Sequence, residues 1–137
     1  MTYSIRSGEH SDVEQVLALW AIAEAEPTHT DTAQHLSQLI THDPLALLVA
    51  QDDGPLIGTV IAGWDGWRGS IYRLVVAPSH RRLGLGSRLL AAAEERLAMV
   101  GAIRLQAVVV ESEALATAFW AASAWEQQTH RLRFVKG

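Results

Sequence analysis

Leu74-Val75-Val76-Ala77-Pro78-Ser79-His80-Arg81-Arg82-Leu83-Gly84-Leu85-Gly86-Ser87 is the stretch on which the reading of the whole chain turns. It begins as the apolar end of a strand, which Pro78 stops. Gly84 and Gly86, with one residue between them, then open an amphipathic helix. Glycines let backbone approach a ligand closely, and a helix start offers free N–H groups at the positive end of its dipole. Arg81, Arg82 and Arg88 supply countercharge. The segment is suited to a phosphate, and best to a pyrophosphate. Two common phosphate loops do not fit. A Rossmann fingerprint needs a third glycine where Leu89 stands, and a first glycine almost directly after the strand. A P-loop needs Gly-Lys-Ser/Thr, and the segment has no lysine.

The neighbouring sequence extends this strand–loop–helix on both sides. Residues 84–100 form one apolar stripe through Leu85, Leu89, Leu90, Ala93, Leu97 and Val100, and Gly101 suits the position just past a helix. The nearly continuous apolar run 103–110 reads as a strand covered on both faces. Strand 70–76, this helix and strand 103–110 make a βαβ unit with parallel strands. Upstream, residues 45–51 and 56–64 read as strands joined by the turn Asp52-Asp53-Gly54-Pro55. Residues 3–6 are a further strand. Ser11 or Asp12 caps a helix with Val13, Val16, Leu17 and Trp20 on its inner face, and a second helix spans about 31–41 with Leu36, Leu39 and Ile40 inward. A short helix over 113–123 and a closing strand over 127–135 complete the order β-α-α-β-β-β-α-β-α-β. The expectation is one α/β domain over residues 1–137 with a mixed sheet.

The chain has 137 residues, 49% of them hydrophobic and 19% charged, which suits one globular domain. It carries 11 Lys plus Arg against 15 Asp plus Glu, for a net charge of −4, which gives no support for a nucleic-acid or anionic-membrane binder. With no cysteine, a disulfide framework, a thiol nucleophile and a Cys-bearing zinc site are excluded. No apolar run reaches membrane-span length, so a cytoplasmic location is expected. The mean charge hides an asymmetry. Residues 1–65 hold ten carboxylates and one arginine, Arg6, whereas residues 66–93 hold five arginines and no carboxylate. A local anion site or a solvated arginine face would each produce that window.

Arg81-Arg82-Leu83-Gly84-Leu85-Gly86, preceded by a Val-x-Pro strand end, satisfies at every position the pattern Arg/Gln-x-x-Gly-x-Gly/Ala. On this loop, its helix, Gly101 and the strand that follows, the sequence resembles the GNAT superfamily of acetyl-CoA-dependent N-acetyltransferases over about residues 45–135. The resemblance implies an α/β (α+β) fold: a mostly antiparallel sheet of six to seven strands with a central parallel pair splayed at the acyl-CoA site, flanked by about four helices. It implies that Arg82, Leu83, Gly84, Leu85, Gly86 and Ser87 cradle the acetyl-CoA pyrophosphate, with the Arg81 and Arg82 side chains adding charge-assisted contacts. The backbone of Leu74, Val75 and Val76 would hold the pantetheine arm. The Val76 N–H would polarise the thioester carbonyl and stabilise the oxyanion. An amine would attack the thioester directly, with no acyl-enzyme. Metal is not expected: His29, His35 and His42 are six and seven apart, not the four that puts two ligands on one helical face.

The C-terminal part departs from the family. Aligning Phe119-Trp120 with the usual Phe-Tyr puts Glu113 where many members have a cofactor-contacting Asn and Trp120 where they have an acidic Tyr. An indole N–H donates a hydrogen bond but is no acid near pH 7. Trp120 would then line the pantetheine channel, with water or a hydroxyl such as Tyr72 or Ser112 as the substitute proton donor. The alternative is a non-catalytic acyl-CoA-binding or sensing module of the same fold. Tyr72 shares strand parity with Leu74 and Val76, which turns it toward the cleft; a packed core tyrosine is the competing reading. Glu24, Glu26 and His29, where acceptor sites often form in the family, would bind a small-molecule or peptide amine; a solvated acidic helix end is the competing reading. Trp64 and Trp67 flank a turn and belong to the core, a homodimer interface or the acceptor site.

Overall fold

Leu47–Gln51 and Leu56–Trp64 are apolar at most positions, and only strands covered on both sides can bury such runs. They are β2 and β3 of a computed structural model that describes residues 3–109 and 114–137. The chain divides into two compact units, Met1–Ala107 and Val108–Gly137. The first holds a five-stranded sheet in the order β1-β2-β3-β4-β5, completed by β1 (Ser4–Ser7), β4 (Gly69–Val76) and β5 (Leu105–Ala107). The first three pairings are antiparallel and β4–β5 is parallel.

Helices cover the two faces of β3 according to its two-residue period. The indole N–H of Trp20 in α1 (Val13–Ile22) donates to Thr59 Oγ1 at 2.9 Å. The preceding residue, Gly58, faces α3 (Leu85–Met99): a Cβ there would lie 2.7 Å from a Leu89 methyl, so a side chain would drive helix and sheet apart. The α3 stripe Leu85, Leu89, Leu90, Ala93 and Leu97 is buried. Val100, expected in the stripe, is 38% exposed, because the helix ends at Met99 and Gly101 reverses the chain at φ +99°. α2 (Ala33–His42) starts where the Thr32 hydroxyl accepts from the His35 N–H, and it buries Leu36 and Ile40. Arg6 in β1 donates to both Asp12 oxygens, at 2.8 and 3.0 Å, and Asp12 also accepts from the Glu9 N–H. The Arg6 guanidinium holds the Asp12 carboxyl below the usual carboxylate range, and Asp12 raises Arg6 in return.

The second unit contains α4 (Ala114–Ala121). Trp120 packs edge-on against Phe119 and Trp125, with ring centroids 5.7 and 4.8 Å apart. Here the strand count departs from expectation: residues 127–135 form no strand, so the described residues hold five strands rather than six or seven. Alternating polar and apolar residues suit a half-buried strand, but the pattern needs a neighbouring edge to pair with. Leu132 and Phe134 instead stand 85% and 89% exposed. Among the described residues no helix is long and apolar enough to cross a membrane.

Candidate functional site

Strand β4 carries one residue too many for its partner. Thr59 pairs with Val75 but Ile61 pairs with Tyr72, so Arg73 and Leu74 together oppose the single residue Val60. Arg73 absorbs the excess in a left-handed conformation, φ +51°, which costs an L-residue roughly 1–2 kcal/mol. The extra residue reverses both alternations of the strand. Before it, odd-numbered amides point to β5: the Gly69 N–H donates to Arg104 O at 3.0 Å. After it, odd-numbered amides point to β3: the Ala77 N–H donates to Ile57 O at 2.8 Å. Val76, between Val75 and Ala77, therefore turns its N–H away from β3. On that side β5 pairs only with Gly69, Ser70 and Ile71, so the far half of β4 lies beyond the parallel ladder. The faces reverse as well. Tyr72 shares the face of Ile61 and Thr59 with Val75, not with Leu74 and Val76 as strict alternation implies, and it is 55% exposed.

A 3-10 turn, Pro78–His80, leads from β4 into the loop. Arg82 (φ +65°) and Gly84 (φ +80°) are both left-handed, and the exposed loop passes into α3 with Gly84 as its N-cap. No side chain caps this helix and its first turn has no acid, so its leading N–H groups stay available. A Cβ at Gly84 would meet nothing within 4 Å. Open space, free N–H groups and the exposed Arg81, Arg82 and Arg88 beside a helix start fit a phosphate group. His80 bridges Ser79 Oγ at 2.8 Å and Asp52 Oδ2 at 3.2 Å, fastening the loop to the β2–β3 turn.

The arginine window separates into parts with different duties. Arg68 stacks on Trp67 at 4.2 Å, at the opposite end of β4, where Trp64, Trp67, Arg68, Ile103 and Arg104 line a groove of about 600 Å³. There Asp65 Oδ1 accepts the Trp67 and Arg68 N–H groups, which hold its carboxyl below the usual range, the Arg68 bond most. Arg73 is neutralised: its guanidinium is ion-paired with Asp31, donates to Glu26 O at 2.8 Å and lies over the Trp20 ring at 5.2 Å. Only Arg81, Arg82 and Arg88 flank the start of α3.

Glu24, Glu26 and His29 lie exposed on the loop after α1. Arg73 brings that loop against β4 through Glu26 O and Asp31, and Arg81 adds a bond to Ala23 O at 3.3 Å. This cluster was not visible in the sequence, because its partners are 42 and 58 residues apart. Its one local signal is Arg73 itself, the single charged residue of β4. Ser112 and Glu113 lie outside the described residues; Trp120 is partly buried in the second unit. Among the described residues no cluster of three or more His, Asp or Glu is placed to hold a metal ion.

Fold and loop together define a mixed α/β protein with an open helix start beside a parallel strand pair that stops pairing partway. The profile of the acetyltransferase (GNAT) family matches residues 12–124, and the chain belongs to that family. An acetyltransferase of Yersinia enterocolitica is 35% identical over 107 residues, covering 78% of this chain and 76% of that protein. Two solved structures share the fold at lower identity. The aminoglycoside N-acetyltransferase AAC(6')-Iy in complex with CoA has a TM-score of 0.77 at 20% identity, over 98% of this chain and 95% of that one. The PaiA N-acetyltransferase of Thermoplasma acidophilum, in complex with coenzyme A, has a TM-score of 0.78 at 16% identity, over 93% and 92%.

Proposed function

We propose that this acetyltransferase, a single domain spanning residues 1–137 and working in the cytoplasm, moves an acetyl group from acetyl-CoA to a primary amine by direct attack in a ternary complex. The observation that carries this is the pairing of an open helix start at Gly84 with a strand bulge that turns the Val76 N–H away from β3. Acetyl-CoA supplies the activated acetyl thioester. Backbone N–H groups of residues 82–87 hold the pyrophosphate, and the Arg81 and Arg82 side chains neutralise it. The free edge of Leu74, Val75 and Val76 aligns the pantetheine arm as an added strand would, and the Val76 N–H draws charge onto the thioester oxygen. Glu24, Glu26 and His29 favour a cationic small-molecule or peptide amine and lead its proton to solvent.

Acetyl-CoA at about a hundred times its Kd should raise the wild-type Tm by roughly 5–10 °C. Gly84→Asp should fold and lose that shift, because a carboxylate would stand where pyrophosphate binds. An equal shift in the variant removes the loop from the binding site.

A further inference from the structure

The bulge in β4 and the loop after α1 are held by one side chain. Arg73 supplies the left-handed residue that switches the direction of the β4 amides, and its carbonyl accepts from the Thr59 hydroxyl at 3.0 Å. Its guanidinium reaches the other way, to Glu26 O, to both oxygens of Asp31 and over the Trp20 ring. Asp31 in turn accepts from the Thr28 N–H at 2.9 Å, closing the loop on itself. Arg73 and Asp31 side chains are 16% and 17% exposed, so the pair is shielded enough to hold one geometry.

We propose that Arg73 is a positioning residue: with Asp31 it latches the acceptor-side loop 23–32 to the strand that holds the thioester, setting the distance from which the amine attacks. This rests on the acetyl-transfer reading above. The two halves of Arg73 have separable duties. Its backbone makes the bulge, which sets the direction of the Val76 N–H. Its guanidinium places the loop. Neither the Asp31 pair nor the Glu26 bond touches residues 82–87; the one link from the loop toward the nucleotide end is the Arg81 bond to Ala23 O, which does not involve Arg73, so the latch acts chiefly on the amine.

Arg73→Gly separates these duties, because glycine adopts a left-handed backbone without strain and carries no guanidinium. Asp31→Asn breaks the same latch from the other side and leaves Arg73 in place. With the amine that gives the fastest thiol release, each variant should raise the KM for that amine about tenfold with a smaller fall in kcat, the sign of a misplaced acceptor. Thermal stabilisation by acetyl-CoA should stay at the wild-type value. The double variant should be no worse than Arg73→Gly alone, since the Arg73–Asp31 pair that Asp31→Asn weakens is already gone in it. Hydrogen exchange supplies a readout free of turnover: amides of loop 23–32, Thr28 foremost, should exchange faster in both variants while those of residues 82–87 do not change. A wild-type amine KM in both variants, or unchanged exchange in the loop, overturns the latch. Parallel loss of acetyl-CoA stabilisation also overturns it, because Arg73 would then support the whole unit. If wild-type enzyme releases no thiol with any amine, the transfer reading fails, and the exchange result still decides the latch.

Discussion

Thr59 has no exposed surface, and both functions of its hydroxyl are used: it accepts from the Trp20 indole and donates to Arg73 O. Thr59→Val keeps the shape and leaves the indole N–H and that carbonyl without their partner. The expected loss is about 1–3 kcal/mol, read as a lower midpoint in urea with an unchanged slope. An unchanged midpoint would mean the two groups find other partners. Asp12 makes the corresponding case for charge. Folding lowers its pKa through the Arg6 bonds, so the folded state binds fewer protons than the unfolded chain in acid. The stabilisation is complete above the ordinary carboxylate pKa and is lost as pH falls through the lowered one. Asp12→Asn should therefore destabilise the protein at pH 7, and the gap from wild type should close as pH falls below the ordinary carboxylate range. A gap independent of pH would assign the effect to packing rather than charge.

At the scale of elements, periodicity located what periodicity can encode. The expected bounds 56–64 for β3 are those observed, and the α3 stripe is buried as spaced, apart from Val100 beyond the helix end. The bulge in β4 was not legible, because nothing local in Tyr72-Arg73-Leu74 marks the extra residue, and it reversed the face assigned to Tyr72. In α4 the question is chemical. Trp120 stands where the resemblance calls for a hydroxyl, and its ring packs against Phe119 and Trp125. Trp120→Tyr restores a proton donor in a smaller ring. It should raise kcat for thiol release by up to ~10²-fold if proton donation to the thiolate limits turnover in this enzyme, as we expect. A fall in kcat together with Tm would show that Trp120 serves packing alone.

Across the whole chain, a net charge of −4 joins an acidic first half to an arginine-rich middle, and folding redistributes that middle. Arg73 answers the acidic half through Asp31, Arg68 sits at the far end of β4, and three arginines remain at the helix start. The loop and helix start at Gly84 were legible because glycines and an apolar helical stripe lie in one contiguous segment. The packing of loop 23–32 against β4 was not, because its parts meet only through contacts such as Arg73 with Asp31. The expected strand over 127–135 failed for a related reason: alternation describes a face, and pairing needs an edge supplied from elsewhere. The most direct measurement is release of free CoA from acetyl-CoA by the purified protein across a panel of primary amines. Expected is release that depends on the amine, saturates in both substrates and disappears in Gly84→Asp. Undiminished thermal stabilisation by acetyl-CoA with no release above the amine-free rate, for any amine, would contradict the assignment as an N-acetyltransferase of primary amines.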